Sequence, residues 1–110
     1  MTIKQIIVSC NSTAEAAKIG QALLKLRFVA CIDVLPKTSS MYYWPPKKKK
    51  LSKGKGVILT AMTLPRHVAK AKLLIVKKHS DKVPFIGTID IHDVSHNYYH
   101  WLTGELRDHA

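Results

Sequence analysis

The chain has 110 residues, 46% of them apolar and 23% charged, a balance that suits one globular domain and excludes wholesale disorder. Lysines and arginines number 18 against 7 acidic residues, a formal charge of +11 that attracts anions without identifying a partner or a fold. No apolar run approaches the roughly 18 residues of a membrane span, and Met1 to Val8 is too short and too quickly polar for a secretory signal. These features predict a cytoplasmic protein with no membrane attachment, with Cys10 and Cys31 as reduced thiols.

Ile3 to Cys10 is a β-rich run ending in polar turn residues, which predicts a central first strand. Ser12 and Glu15 have the spacing of a capping box, so a helix starts there and runs to about Arg27. Ala16, Ile19, Gly20, Leu23 and Leu26 form its buried stripe, with Gly20 allowing a strand to approach closely. Phe28 opens a second strand in which Phe28, Ala30, Ile32 and Val34 face the helix. Val29, Cys31, Asp33 and Leu35 face the other way, toward an expected second subunit.

That strand is expected to be exceptionally long. Strand-like content runs from Val29 to Trp44 on both sides of a bend at Pro36-Lys37-Thr38-Ser39, whereas strands usually span about 3–10 residues. Half of it is expected to pair inside the domain and half to overhang as an edge open to another chain, predicting a symmetric oligomer. Residues 45–56 carry two prolines, two glycines, six lysines and no acid, and read as a solvated hairpin tip.

Val57 to Met62 is the third strand, and Thr63 reads as the N-cap of a helix with Pro65 in its first turn. Val68, Ala71, Leu74 and Ile75 make that helix's buried stripe, and His79 to Lys82 ends it. Phe85 to Ile91 is the fourth strand, with Phe85, Gly87, Ile89 and Ile91 on one face. Asp93 or Ser95 can cap a last helix reaching about Leu106, in which Tyr98, Trp101 and Leu102 have helical spacing. The order is β-α-β-β-α-β plus a terminal helix, an α+β split βαβ sandwich of the ferredoxin-like type, with predicted sheet order 4-1-3-2 over the whole chain. In that topology Cys10 ends the first strand and Cys31 begins the second, with the third strand between, so the two thiols cannot bridge within one subunit.

Several blocks in this order resemble the CutA family of divalent-cation tolerance proteins. They are Ala30-Cys31-Ile32, Ser40-Met41-Tyr42-Tyr43-Trp44 after the proline bend, Thr63 closing the third strand, His79 leading to Val83-Pro84, and Tyr98-Tyr99-His100-Trp101-Leu102. The resemblance spans about Ile6 to Leu106 and implies a ferredoxin-like subunit in a homotrimer, joined through the long bent strand and similar in architecture to PII signalling proteins. It also implies a metal-tolerance role in which copper or another divalent cation, or a small ligand, is bound. The chain departs from the family pattern at Met62, at Gly54-Lys55-Gly56, and at Ser80-Asp81-Lys82 and Phe85 after His79.

Cys31 and His79 are the metal ligands the resemblance suggests, and thiolate with imidazole suits copper or zinc. The plain alternative for Cys31 is a small buried hydrophobe. Asp33, Tyr42, Trp44 and Trp101 are expected at a ligand site or subunit interface, and Met41 and Met62 read as adaptable packing residues before soft ligands. His96 and His100 have chelating spacing on a helix, but no third ligand of the expected type accompanies them. Lys47, Lys48, Lys49 and Lys50, following Tyr42 and Trp44, offer a second reading as an anion- or nucleic-acid-binding module. A solvated loop explains the same lysines with less. No nucleophile elbow, phosphate loop or zinc-protease helix is present in the sequence, so no enzyme is expected.

Overall fold

The computed structural model describes residues 1–107. Its elements are β1 (Ile3–Cys10), α1 (Thr13–Lys25), β2 (Cys31–Pro36), β3 (Ser40–Tyr43), β4 (Leu51–Gly54), β5 (Val57–Thr63), α2 (Pro65–Lys78), β6 (Ile86–Ile91) and α3 (His96–Glu105). The main sheet is antiparallel in every pairing, with order β2-β5-β1-β6, which is the predicted topology.

Alternation divides the sheet's two faces. Ile6, Val8 and Cys10 of β1, with Val57, Leu59 and Ala61 of β5, pack against Ala16, Ile19 and Leu23 of α1 and Ala71 and Ile75 of α2. Ile32 and Val34 join this core, as expected for the helix-facing side of β2. A smaller cluster of Ile3, Leu64, Leu102 and Leu106 forms where α3 folds over one end of the opposite face. Apart from the buried Thr60, the rest of that face carries half-buried or exposed residues, among them Leu35, Phe85 and Ile89.

The Ser12 hydroxyl accepts from the Glu15 N–H at 3.0 Å, while the Glu15 carboxylate accepts from the Asn11 N–H at 3.0 Å, so the start of α1 is capped as its sequence predicts. The other end differs. Helix α1 stops at Lys25 because Arg27 turns left-handed at φ 57°, with the Phe28 N–H on the Leu23 carbonyl and the Arg27 N–H on the Leu24 carbonyl. That pair of bonds is a Schellman closure with arginine where glycine is usual. It carries the chain through Phe28–Ala30 before β2 begins at Cys31, so Val29 enters the helix-side core and Ala30 the smaller cluster.

Three further expectations are corrected. Thr63 does not cap α2: its hydroxyl donates to the Phe28 carbonyl at 2.6 Å, and Leu64 holds the N-cap position without a side-chain bond. Ser95, at the N-cap of α3, likewise makes no capping bond. The long strand does break into two segments, β2 and β3, but the outer half is not wholly unpaired. Residues 51–54, expected within the loop, form β4 and pair with β3 from Ser40↔Gly54 to Tyr43↔Leu51. This two-stranded ribbon projects from a molecule measuring 47 × 27 × 23 Å.

Candidate functional site

The strand directions decide which residues can meet. Strand β1 and helix α2 both end at the same edge of the sandwich, and α1 begins there, so Cys10, Glu15 and His79 converge. One ligand atom from each lies within 4.8 Å of the other two, the one such group of three among the described residues. Cys10 is buried, and the His79 side chain is fully enclosed.

A closed set of hydrogen bonds holds this cluster. The Asp81 N–H donates to His79 Nδ1 at 3.0 Å, which makes Nδ1 an acceptor and leaves the hydrogen on Nε2. Nε2 in turn lies 2.7 Å from the Ser9 carbonyl oxygen and 3.7 Å from Glu15 Oε1. The second carboxylate oxygen of Glu15 accepts from the Ser80 N–H at 2.9 Å. Burial acts to raise the Glu15 pKa, but the Asn11 and Ser80 hydrogen bonds and the neighbouring His79 outweigh it and hold it below the usual carboxylate value. Burial, reinforced by the Glu15 charge, pushes the Cys10 thiol up to about 11, with Lys37 opposing.

Thiol, carboxylate and imidazole are a donor set for zinc or copper. Zinc bonds of about 2.0–2.3 Å set ligand atoms closer than the 4.8 Å that bounds this group, so the three side chains would draw together on binding. Binding would require the thiol proton to leave and the imidazole to exchange one of its present hydrogen bonds.

Cys31 is placed elsewhere. It pairs with Met62, which pairs with Gln5, so Cys31 lies level with the first half of β1 on the face opposite Cys10. His79 sits beyond the far end of that strand, and within one chain the structure does not bring Cys31 and His79 together. Cys31 instead lies 3.3 Å from the Tyr98 hydroxyl. Burial, then the Cys31 contact and the Asp33 carboxylate, raise the Tyr98 phenol far above its ordinary range. Trp101 packs on Tyr98 with ring centroids 5.6 Å apart, and Asp33 is exposed nearby on β2. Lys47, Lys48, Lys49 and Lys50 are all exposed in the turn joining β3 to β4, while Tyr42 and Trp44 are also exposed on that ribbon. His96 and His100 meet at 2.9 Å between Nε2 atoms on the surface of α3.

In the sequence Glu15 shows only as a helix cap and Cys10 only as a reduced thiol at a strand end, neither as a metal ligand. Their signal was topological: the C-terminal end of the first strand, the first turn of the following helix and the end of the second helix share one edge of this fold.

The architecture is that of the ferredoxin-like α+β class. A family model described as "CutA1 divalent ion tolerance protein" matches residues 4–105, and the chain belongs to that family. A curated relative, the protein CutA homolog of Danio rerio, is 28% identical over 103 residues, covering 94% of this chain and 67% of the relative. The crystal structure of CutA1 from Pyrococcus horikoshii superimposes with a TM-score of 0.87 at 27% identity, over 96% of this chain and 99% of the other. A periplasmic divalent cation tolerance protein CutA from Archaeoglobus fulgidus gives a TM-score of 0.88 at 21% identity, covering 97% and 100%, and shows the fold alone. Among the described residues no helix is long and apolar enough to cross a membrane.

Proposed function

We propose that this chain binds a divalent cation, with copper and zinc the fitting chemistries, at Cys10, Glu15 and His79, and serves the metal-tolerance role that its relatives' names record. The observation that carries the reading is the approach of three chemically different ligand atoms to within 4.8 Å at one buried edge of the sandwich. The proposed role is binding and response to metal, without a catalysed reaction. When bound, the ion would stabilise the Cys10 thiolate, which nothing but Lys37 favours in its absence.

The exposed apolar residues Leu35 and Ile89 on the open sheet face, with the projecting β3–β4 ribbon, support assembly with further copies of the chain, read as a homotrimer. A cytoplasmic location belongs to this reading, since two cysteines do not make the disulfide framework of a small secreted domain.

Native mass spectrometry of the reduced protein titrated with zinc tests both parts. The expected result is a trimer taking one zinc per chain, with uptake lost in Cys10→Ala and in His79→Ala and kept in Cys31→Ser. Zinc uptake that survives Cys10→Ala and disappears in Cys31→Ser would reject this site in favour of one on the open sheet face.

A further inference from the structure

An open cleft of about 480 Å³ lies between this edge of the main sheet and the β3–β4 ribbon. Its wall combines three lysines, Lys37, Lys55 and Lys82, with four aromatic residues, Tyr42, Tyr43, Trp44 and Phe85. They come from different parts of the chain: the β2–β3 link, the ribbon, the β4–β5 link and the loop before β6. Ser9 Oγ accepts from Lys37 Nζ at 2.6 Å, which fixes that ammonium at the inner end of the cleft. One carboxylate, Asp81, shares the wall, and Asn11 Nδ2 donates to it at 2.8 Å. From Lys37 through Gly56 the sequence contains no acid at all.

Size, charge and rings point to one class of occupant. The volume falls within the roughly 300–1,000 Å³ of small-molecule sites. Ammonium groups serve as point-charge phosphate binders, and flat rings present faces on which a heterocycle stacks irrespective of its edge pattern. Tyr42 and Trp44 are each 46% exposed, Phe85 59% and Tyr43 71%, so all four retain ring surface for a ligand to cover. Lys47 to Lys50 do not line the cleft, which separates this site from the general field of the ribbon's tip.

We propose that the cleft binds a free nucleotide, its phosphates among Lys37, Lys55 and Lys82 and its base against the aromatic wall. The site is distinct from the metal ligands, although Ser9 and Asn11 border both.

The test is ATP binding to the assembled protein at about 0.15 M salt, followed by calorimetry and by Trp44 fluorescence in a Trp101→Phe background. ATP is expected to quench Trp44. Lys55→Ala/Lys82→Ala is expected to weaken binding about tenfold or more, as is replacing ATP by adenosine or by tripolyphosphate. Alanine at all of Lys47, Lys48, Lys49 and Lys50 is expected to change affinity less than about twofold, since these side chains do not line the cleft and exposed charges are screened by salt. Cys10→Ala is expected to retain ATP binding, so failure of the metal reading leaves this one standing. The proposal is overturned if ATP does not bind, if the four-lysine variant loses as much affinity as the cleft variant, or if an oligonucleotide binds more tightly than ATP through Lys47 to Lys50.

Discussion

His79 Nε2 lies 2.7 Å from the carbonyl oxygen of Ser9, so the residue that ends α2 is tied to the last turn of backbone in β1. With the Asp81 N–H on Nδ1, both ring nitrogens are committed and the imidazole is fixed in orientation. The bonds that present the ring to Cys10 and Glu15 also join two elements distant in sequence, so site and fold share one support.

Removing that ring should therefore cost stability even without metal. His79→Ala leaves the Ser9 carbonyl and the Asp81 N–H without their present partners, and an orphaned buried polar group costs about 1–3 kcal/mol. The urea midpoint should fall with an unchanged slope. A midpoint equal to that of the parent protein would show that solvent replaces both bonds at no cost.

Glu15 sets an acid limit on stability. Its folded pKa is depressed, so its contribution is complete above the unfolded carboxylate value and is lost as pH falls through the lower folded value. Glu15→Gln should be less stable than the parent at pH 7, and the difference should shrink as the pH is lowered into the range where the parent's carboxylate protonates. Parallel stability curves down to the acid limit would assign the effect to shape and not to charge.

Cys10 should be slow toward alkylating reagents. With its thiol pushed up to about 11, roughly one molecule in a thousand carries the thiolate at pH 8, and the side chain is buried. Peptide mapping after iodoacetamide treatment of the native protein should find Cys31, which is half-buried, modified well before Cys10. Equal labelling of the two would mean that the β1 end opens on the labelling timescale.

The sheet order, both long helices and the terminal helix were legible in the sequence because β1 and β5 are short β-rich runs, β6 alternates, and α1, α2 and α3 carry apolar residues three to four apart. The end of α1 was not, because the closing left-handed residue is Arg27 and carries none of glycine's signal. Strand β4 was hidden as well. Leu51-Ser52-Lys53-Gly54 has almost no strand propensity and forms because β3 supplies a partner. His79 was visible as a candidate ligand, whereas Cys10 read only as the end of a strand. The fold itself separates Cys31 from His79, since β2 begins at the edge opposite the one where α2 ends.

The short link between β4 and β5 gives the sharpest mutational contrast. Gly56 has φ 155°, and a Cβ there would collide with the backbone carbonyl oxygen of Cys10. The Gly56 carbonyl also accepts from the Lys37 N–H at 3.2 Å, so the link cannot move aside without releasing the start of the β2–β3 bend. Gly56→Ala should cost about 1–3 kcal/mol and, by displacing Cys10, weaken zinc uptake. Gly20→Ala is the control. Its Cβ would meet Cδ1 of Ile32, the end of a flexible side chain, and alanine gains about 0.8–1.0 kcal/mol of helix propensity over glycine. Repacking at Ile32 offsets that gain, so Gly20→Ala should leave the urea midpoint within about 1 kcal/mol of the parent. Equal losses at the two positions would show that crowding of any kind is the cause. A loss confined to Gly56→Ala would assign it to the close approach of two backbones at the end of β1.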